Sequence, residues 1–377
     1  MRLAWCQSTT RRPTPTSQSV LDDTAALIAE LRTRHDITAF DRASVHDLVR
    51  LDFRQPFDLC VYELADTEDS AFLWPYVMHY PGVVRLRSAS LHQSRASSLA
   101  RQRRGRDRDA ELAFGRGDLT ASAIVASRSI VVADAYQAAA LQRDYPEARI
   151  RVAPIGIPDR RAREQPSNAP DGAIIRVGVL AHPLRQTIVE AIDRARAAGA
   201  RIEVVRESVP EHMLDEADIV LCLPWPPSDD LTPASAALAA GHPVVMFETS
   251  VSAGWPSFDP QTWLPRGFGG SDVPIAIALD PRDETHSLAR ALGRLATDAT
   301  LRRDLGVAAR EWWQRHSTVA HAADAWAGIL AEAAVLAPPT RPHDWPRHLT
   351  ADGTDRAREW LTPFGVSVDF LEPTESS

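Results

Sequence analysis

Lysine is absent from the 377 residues, so all 42 basic side chains are arginine. Arginine's planar fork suits phosphate and carboxylate recognition, which leaves anion binding open. Cysteine is scarce. Cys6, Cys60 and Cys222 lie far apart in apolar stretches that read as strands, with no metal-ligand spacing. That excludes a disulfide scaffold or a zinc ribbon and reads as reduced core thiols in a cytoplasmic protein. No apolar run approaches the ~20 residues that span a bilayer. The first residues lack the form of a signal peptide. An excess of positive charge is missing too. The net charge of -8 argues against general nucleic-acid binding. No repeat of solenoid length is present.

What is present is ordinary globular composition, with 44% hydrophobic and 24% charged residues. The chain is too long for one core and suits two domains. Its most informative stretch is 217–248, ADIVLCLPWPPSDDLTPASAALAAGHPVVMFE. Residues 218–223 form a short apolar run that fits a buried parallel strand. Pro224, Trp225, Pro226 and Pro227 stop it, because proline donates no N–H to a ladder. Ser228, Asp229 and Asp230 then stand where helix caps belong and where backbone N–H groups can meet an anion. A small-residue helix over 233–240 ends at Gly241, and 243–247 is the next strand. The polar loop thus falls at the carboxyl edge of a parallel sheet, where open α/β sheets bind ligands.

This stretch resembles the nucleotide-sugar site of retaining glycosyltransferases of family 4. Ala239, Ala240, Gly241, His242, Pro243, Val244 and Val245 carry the match. In one branch the loop glutamate falls at Asp229. In the wider family, one glutamate falls at Ser228 and a second, inside the helix, at Ala236. RLAWCQSTTRR is similar to the family's first strand and loop, SRSIVVADAYQAAALQRDYPEARIRVAPIGIP to the pattern before its linker, and RRDLGVAAREWWQRHS to its late helix. The likeness runs to about the last helix. The tail 338–377 has no counterpart.

The pattern along the chain agrees with that fold. Strands are expected over 2–6, 37–40, 58–64, 83–86, 129–133 and 149–153, with helices over 17–34, 71–80 and 135–145 and two helical stretches around an arginine-rich segment. The proline-rich segment 154–172 reads as a linker. A second alternation follows, with strands over 174–180, 202–205 and 275–279. Helices are expected over 186–198, 284–298, 300–316 and 319–336. The expectation is a GT-B architecture, two Rossmann-like doubly wound α/β domains with a cleft between them. Residues 1–155, completed by 319–377, form the acceptor-side domain, and 171–318 the donor domain.

The resemblance implies several site residues. Arg185 follows the 174–180 strand, where the family holds the donor diphosphate with a lysine or arginine. A fixed cation there stabilises a leaving diphosphate. The alternative is a surface arginine at a helix start. His182 is a second donor-side residue, or else a polar loop residue. Asp229 would orient sugar hydroxyls or simply cap the helix. Thr232 and Ser235 are donor ligands or helix-start residues, and Glu248 faces the cleft or is an exposed loop acid. On the acceptor side the branch's His-Asp pair is replaced by Arg87 and Ser88, its histidine pair by His92 and Gln93, and an upstream histidine by Ser70. His92 is the remaining acceptor-side candidate, against a structural role. The loop 13–19, glycine-bearing in the family, has no glycine here.

The expected activity is transfer of a sugar from a nucleotide-diphosphate sugar to a glycan, lipid or small-molecule acceptor. Asp229 and His92 would be catalytic, with no cofactor and no metal. The alternative is a non-catalytic GT-B protein that binds a nucleotide sugar, a glycan or a partner enzyme, which the missing glutamate and histidines favour. The run RQRRGRDRD over 101–109 reads as a solvated helix end, or as a contact with anionic lipid at the inner membrane face.

Overall fold

The computed structural model describes residues 1–8, 23–88, 90–101, 104–160, 169–170, 172–180, 183–205, 207, 209–266, 273–351, 357 and 360–366. They build two sheets flanked by helices. The first set of elements is β1 (Arg2–Cys6), α1 (Asp23–Leu31), β2 (Asp36–Phe40), α2 (Asp47–Arg54), β3 (Leu59–Leu64), α3 (Trp74–His79), β4 (Val83–Leu86), α4 (His92–Arg101), α5 (Gly105–Phe114), α6 (Thr120–Ala126), β5 (Ser129–Val132), α7 (Ala135–Asp144) and β6 (Ile150–Val152). The second is β7 (Ile175–Val179), α8 (Gln186–Ala197), β8 (Ile202–Val204), α9 (Pro210–Glu216), β9 (Ile219–Cys222), α10 (Thr232–Ala240), β10 (Val244–Phe247), β11 (Ser257–Phe258), β12 (Pro265–Arg266), β13 (Ala276–Leu279), α11 (Glu284–Thr297), α12 (Ala299–His316) and α13 (Val319–Val335).

The first sheet has the order β2-β1-β3-β4-β5-β6 and is parallel throughout. The second has the order β12-β11-β13-β10-β9-β7-β8, with only the β11–β12 pair antiparallel. Central strands such as β3, β4, β9, β10 and β13 are buried at every residue. Strands covered on both faces need continuous apolar runs rather than alternation, and these sequences supply them. In each sheet the chain steps from its first strand to one side and then returns to the other. The strand order therefore reverses between β1 and β3, and again between β7 and β9, which places a crevice at the carboxyl ends of each pair.

Several elements differ from expectation. The helix expected over 71–80 is a 3-10 turn, Glu68–Leu73, followed by α3. Pro75 is tolerated only in the first helical turn, so the α-helix starts at Trp74. The two stretches around the arginine-rich segment are three helices, α4 to α6. Helices α2 and α9 and the β11–β12 hairpin are not among the expected elements. The loop 13–19, the start of the helix expected from 17, and the tail beyond 366 lie outside the described residues.

The chain crosses between the sheets twice at one place. Ile157 bridges Thr318, its N–H bonds Ser317 O at 2.9 Å, and Trp313 Nε1 donates to Ile157 O at 3.1 Å. At Gly156 a Cβ would stand 2.8 Å from Ala322 Cβ, so the approach requires glycine. Gly156→Ala should cost about 1–3 kcal/mol, as overpacking does. Urea unfolding checks it, and a wild-type midpoint would contradict the tight crossing. Helix α13 then packs on the first sheet. Its Trp326 is fully buried and tilts against Trp5 at 5.0 Å. The following tail stays on that side, with Trp345 edge-on to Phe114 at 5.2 Å and His348 Nε2 2.7 Å from the buried Glu111 carboxylate.

No helix among the described residues is long and apolar enough to cross a membrane. Arg101 pairs with Glu68 at 2.7 Å and Arg104 with Asp107 at 3.6 Å, so part of the arginine-rich run is acid-compensated.

Candidate active site

The residues past β9 start from proline geometry. Pro224, Pro226 and Pro227 end the strand and carry the chain out to a polar turn. Ser228 Oγ accepts from Asp230 N–H at 3.1 Å, and Asp230 Oδ1 accepts from Thr232 N–H at 3.0 Å. The acid that satisfies the start of α10 is thus Asp230, one residue later than the cap expected at Asp229. Helix α10 is apolar all round, and Thr232 through Ala239 are buried, as a helix without a polar face must be. Thr232 and Ser235 go with it. Thr232 Oγ1 accepts from Arg87 Nη2 at 2.9 Å, and the Ser235 hydroxyl has no partner among the described residues.

Asp229 is near enough to the other unit for its charge to act on Asp66 there. Past β3, the half-buried Asp66 accepts at 2.7 Å from Ser94 N–H at the start of α4, and its own N–H donates to Ser88 Oγ at 3.0 Å. Burial raises the Asp66 carboxyl above the ordinary carboxylate range, and the charge of Asp229 adds to the rise. N–H groups of Ser94 and Gln93 and the nearby His92 oppose it. Asp66, His92 and Asp229 therefore share one electrostatic neighbourhood. An acid just past the carboxyl end of a strand at a switch point is a signal that could have pointed to Asp66.

Arg87 spans the two sheets. Nη1 holds Asp23 at 2.8 and 3.1 Å and lies 3.5 Å from Glu63, while Nη2 reaches Thr232 and, at 3.5 Å, Asp230. Beneath it, Arg85 pairs with Asp23 at 2.5 Å and Glu63 at 3.1 Å. Trp5 Nε1 and Thr24 Oγ1 complete the shell of Glu63. Burial alone would push the Asp23 carboxyl up. The two arginines outweigh it and hold the group at about 2.

Arg185 sits at the β7–β9 switch point as the residue before α8. Its fork is committed within the protein. Nη1 bonds Glu284 and Thr187, each at 2.9 Å, and Nη2 bonds Glu284 and, at 3.2 Å, Leu223 O. Only Nε–H is left, and it is buried without a partner among the described residues. A carboxylate bound to both terminal nitrogens neutralises the charge that a diphosphate would use. Glu284 was not singled out from sequence.

Glu248 is not brought to Asp229. It pairs with Arg266 at 2.6 Å and lines a separate cavity of about 730 Å3 with Asp259, Asp280 and Arg282. A second cavity, of about 990 Å3, lies by the amino ends of β5 and β6 under the segment 336–342. Neither is lined by Asp66, His92, Arg185 or Asp229. His182 lies outside the described residues. Among the described residues, no three histidine, cysteine or acidic side chains are grouped to hold a metal.

Comparison with known proteins gives the fold. No family profile matches the chain, and no curated protein is similar to it in sequence. Among solved structures, HepE of Anabaena in complex with UDP is similar over 88% of this chain and 100% of that one, at a TM-score of 0.57 and 12% identity. WaaG, a glycosyltransferase involved in lipopolysaccharide biosynthesis, is similar over 87% and 99%, at 0.51 and 13%. The architecture is GT-B, two Rossmann-like α/β units with parallel-dominated sheets.

Proposed function

We propose that this protein is a glycosyltransferase of the retaining, family-4-like kind. It moves a sugar from a nucleotide-diphosphate donor to a glycan, lipid or small-molecule acceptor in the cleft between the sheets. The observation that carries this reading is electrostatic: the charge of Asp229 on one unit acts on Asp66 of the other, which also feels His92. HepE, with the same fold, has been crystallised with UDP-glucose. The donor lies along the 223–231 loop between Arg185 and Asp229, and Asp229 accepts hydrogen bonds from sugar hydroxyls. The bond from the anomeric carbon to the diphosphate oxygen breaks, its electron pair leaving with the diphosphate. The acceptor oxygen forms the new bond on the same face of the anomeric carbon that the diphosphate leaves, as retention requires. Asp66, held above the usual carboxylate range, is placed to take the acceptor's proton, and His92 orients that hydroxyl. Neither Ser235 nor Glu248 contacts the donor in this arrangement.

Donor turnover by wild type and Asp229→Asn tests the proposal. Asn keeps a side-chain carbonyl but loses the charge and one acceptor oxygen. Turnover should fall by about 10²-fold, the scale of losing one positioned polar group, with the fold unchanged by circular dichroism. Equal rates in the two proteins would remove Asp229 from the chemistry.

One observation favours a second reading. Arg87 closes on Thr232 and Asp230, and its side chain is only 20% exposed. A protein that binds a nucleotide sugar or a partner without turnover could keep that contact permanently. In that case nucleotide binds, and neither protein turns over any donor.

A further inference from the structure

The sequence expectation put the donor diphosphate on Arg185, yet the fork of that arginine is bound to Glu284, Thr187 and Leu223. What the switch point does offer is an aromatic face. Trp225 follows β9 and is 57% exposed, a large apolar side chain left open at the carboxyl edge of the sheet. Prolines 224, 226 and 227 hold its backbone, since each fixes its own φ. The Arg185 guanidinium carbon stands 5.4 Å from the indole centroid. Phe247, buried at the end of β10, meets the indole at 6.4 Å and 65°. Arg185 Nη2 is also tied to the Leu223 carbonyl of the same loop, so cation and indole are held together. Leu184, just before Arg185, is 46% exposed and adds apolar surface.

We propose that Trp225 is the stacking platform for the nucleobase of the donor, and that the β7–β9 switch point reads a flat heteroaromatic ring rather than a phosphate. This rests on the reading that a nucleotide diphosphate occupies the cleft. The Arg185–Glu284 pair makes the spot nearly neutral, which disfavours a bare anion. An indole already set against Arg185 and Phe247 loses little freedom when a ring stacks on it, and every base has a face to present. The loop then runs away from Trp225 toward Asp229, Asp230 and the contact with Arg87 on the other unit. A donor laid along it has its base at Trp225 and its sugar at the carboxylates. The committed arginine acts as a positioning residue, fixing the indole against Phe247.

The test is calorimetric titration of the full chain with UDP, ADP and GDP, with inorganic pyrophosphate, and with glucose 1-phosphate. Wild type, Trp225→Ala and Trp225→Phe are compared. Because Trp225 is exposed, both variants should keep the wild-type unfolding midpoint. Trp225→Ala should weaken the best nucleoside diphosphate by about tenfold or more, the scale of one lost base–aromatic stack, and Trp225→Phe should keep most of the affinity. Pyrophosphate and glucose 1-phosphate, whatever their affinity, should not notice the substitution. If the alanine variant binds the nucleotide as wild type does, the platform is wrong and the functional proposal stands. If pyrophosphate or glucose 1-phosphate loses as much as the nucleotide, Trp225 serves the phosphate or the sugar instead. If wild type binds none of the three nucleotides, both proposals fall together.

Discussion

Replacing Asp23 by alanine should destabilise the fold by about 3–5 kcal/mol, the cost of leaving a buried charge without its partner. Asp23 is 2% exposed, and both of its oxygens are taken by Arg85 and Arg87. Without it, the buried Arg85 keeps, among the described residues, only Glu63 and a long contact to Thr24. The pH dependence has a definite sign. The folded carboxyl is held at about 2, below its ordinary value near 3.8, so its contribution is complete above 3.8 and is lost as pH falls through about 2. Near neutrality the substitution is therefore felt in full. Urea unfolding at pH 7 measures it, with Asp23→Asn as the control that keeps one acceptor oxygen. A loss below about 1 kcal/mol would mean that the cluster behaves as an exposed pair does.

The second large effect belongs to His242. The ring is fully buried behind Gly241, and among the described residues neither nitrogen has a partner of good hydrogen-bond geometry. Burial lowers its pKa from 6.5 to about 4, with a weak backbone contact at Leu214 opposing. A histidine depressed in the folded state contributes stability that is complete above the unfolded value. That stability is lost as pH falls through the folded one. Between pH 6.5 and 4 the unfolded chain binds the proton first, so wild type should lose on the order of 3 kcal/mol from this group. His242→Leu should flatten that slope while keeping the fold near neutral pH. Unfolding free energies of both proteins at pH 7.5 and pH 4.5 give the comparison, and parallel curves would show that the imidazole accepts its proton inside the fold.

Much of the architecture is legible because parallel strands are written as unbroken apolar runs. The strand expected over 2–6 is β1, and those over 218–223 and 243–247 become β9 and β10 with one or two residues trimmed. The proline–tryptophan loop and the left-handed Gly241, at φ 80, mark both ends of the site segment. What sequence could not show is pairing. Nothing local says that Arg185 will meet Glu284 across the end of β13, or that Arg87 will reach over to Thr232. Nor does any spacing join Asp66 to Asp229. Such contacts come from strand order, which is set by packing of the whole sheet. Asp229 and Asp230 are adjacent in sequence and differ in use: the charge of one acts on Asp66 of the other unit, and the carboxylate of the other accepts from the first N–H of α10.

The return of α13 to the first sheet bears on how the chain tolerates being cut. The helix fills the face made by Trp5, Leu27, Leu31 and Leu59 with Trp326, Leu330 and their neighbours. A fragment ending at the first crossover would leave that face bare and has no complete core of its own. A cleavage after residue 160 has another outcome. The carboxyl fragment still carries α13, and α13 remains seated against β1 and α1, so the halves stay together without a covalent bond. The two units are neighbours in space but are not separable modules. The first is finished by a helix from the other half of the polypeptide, and a protease that severs the connection does not release either one.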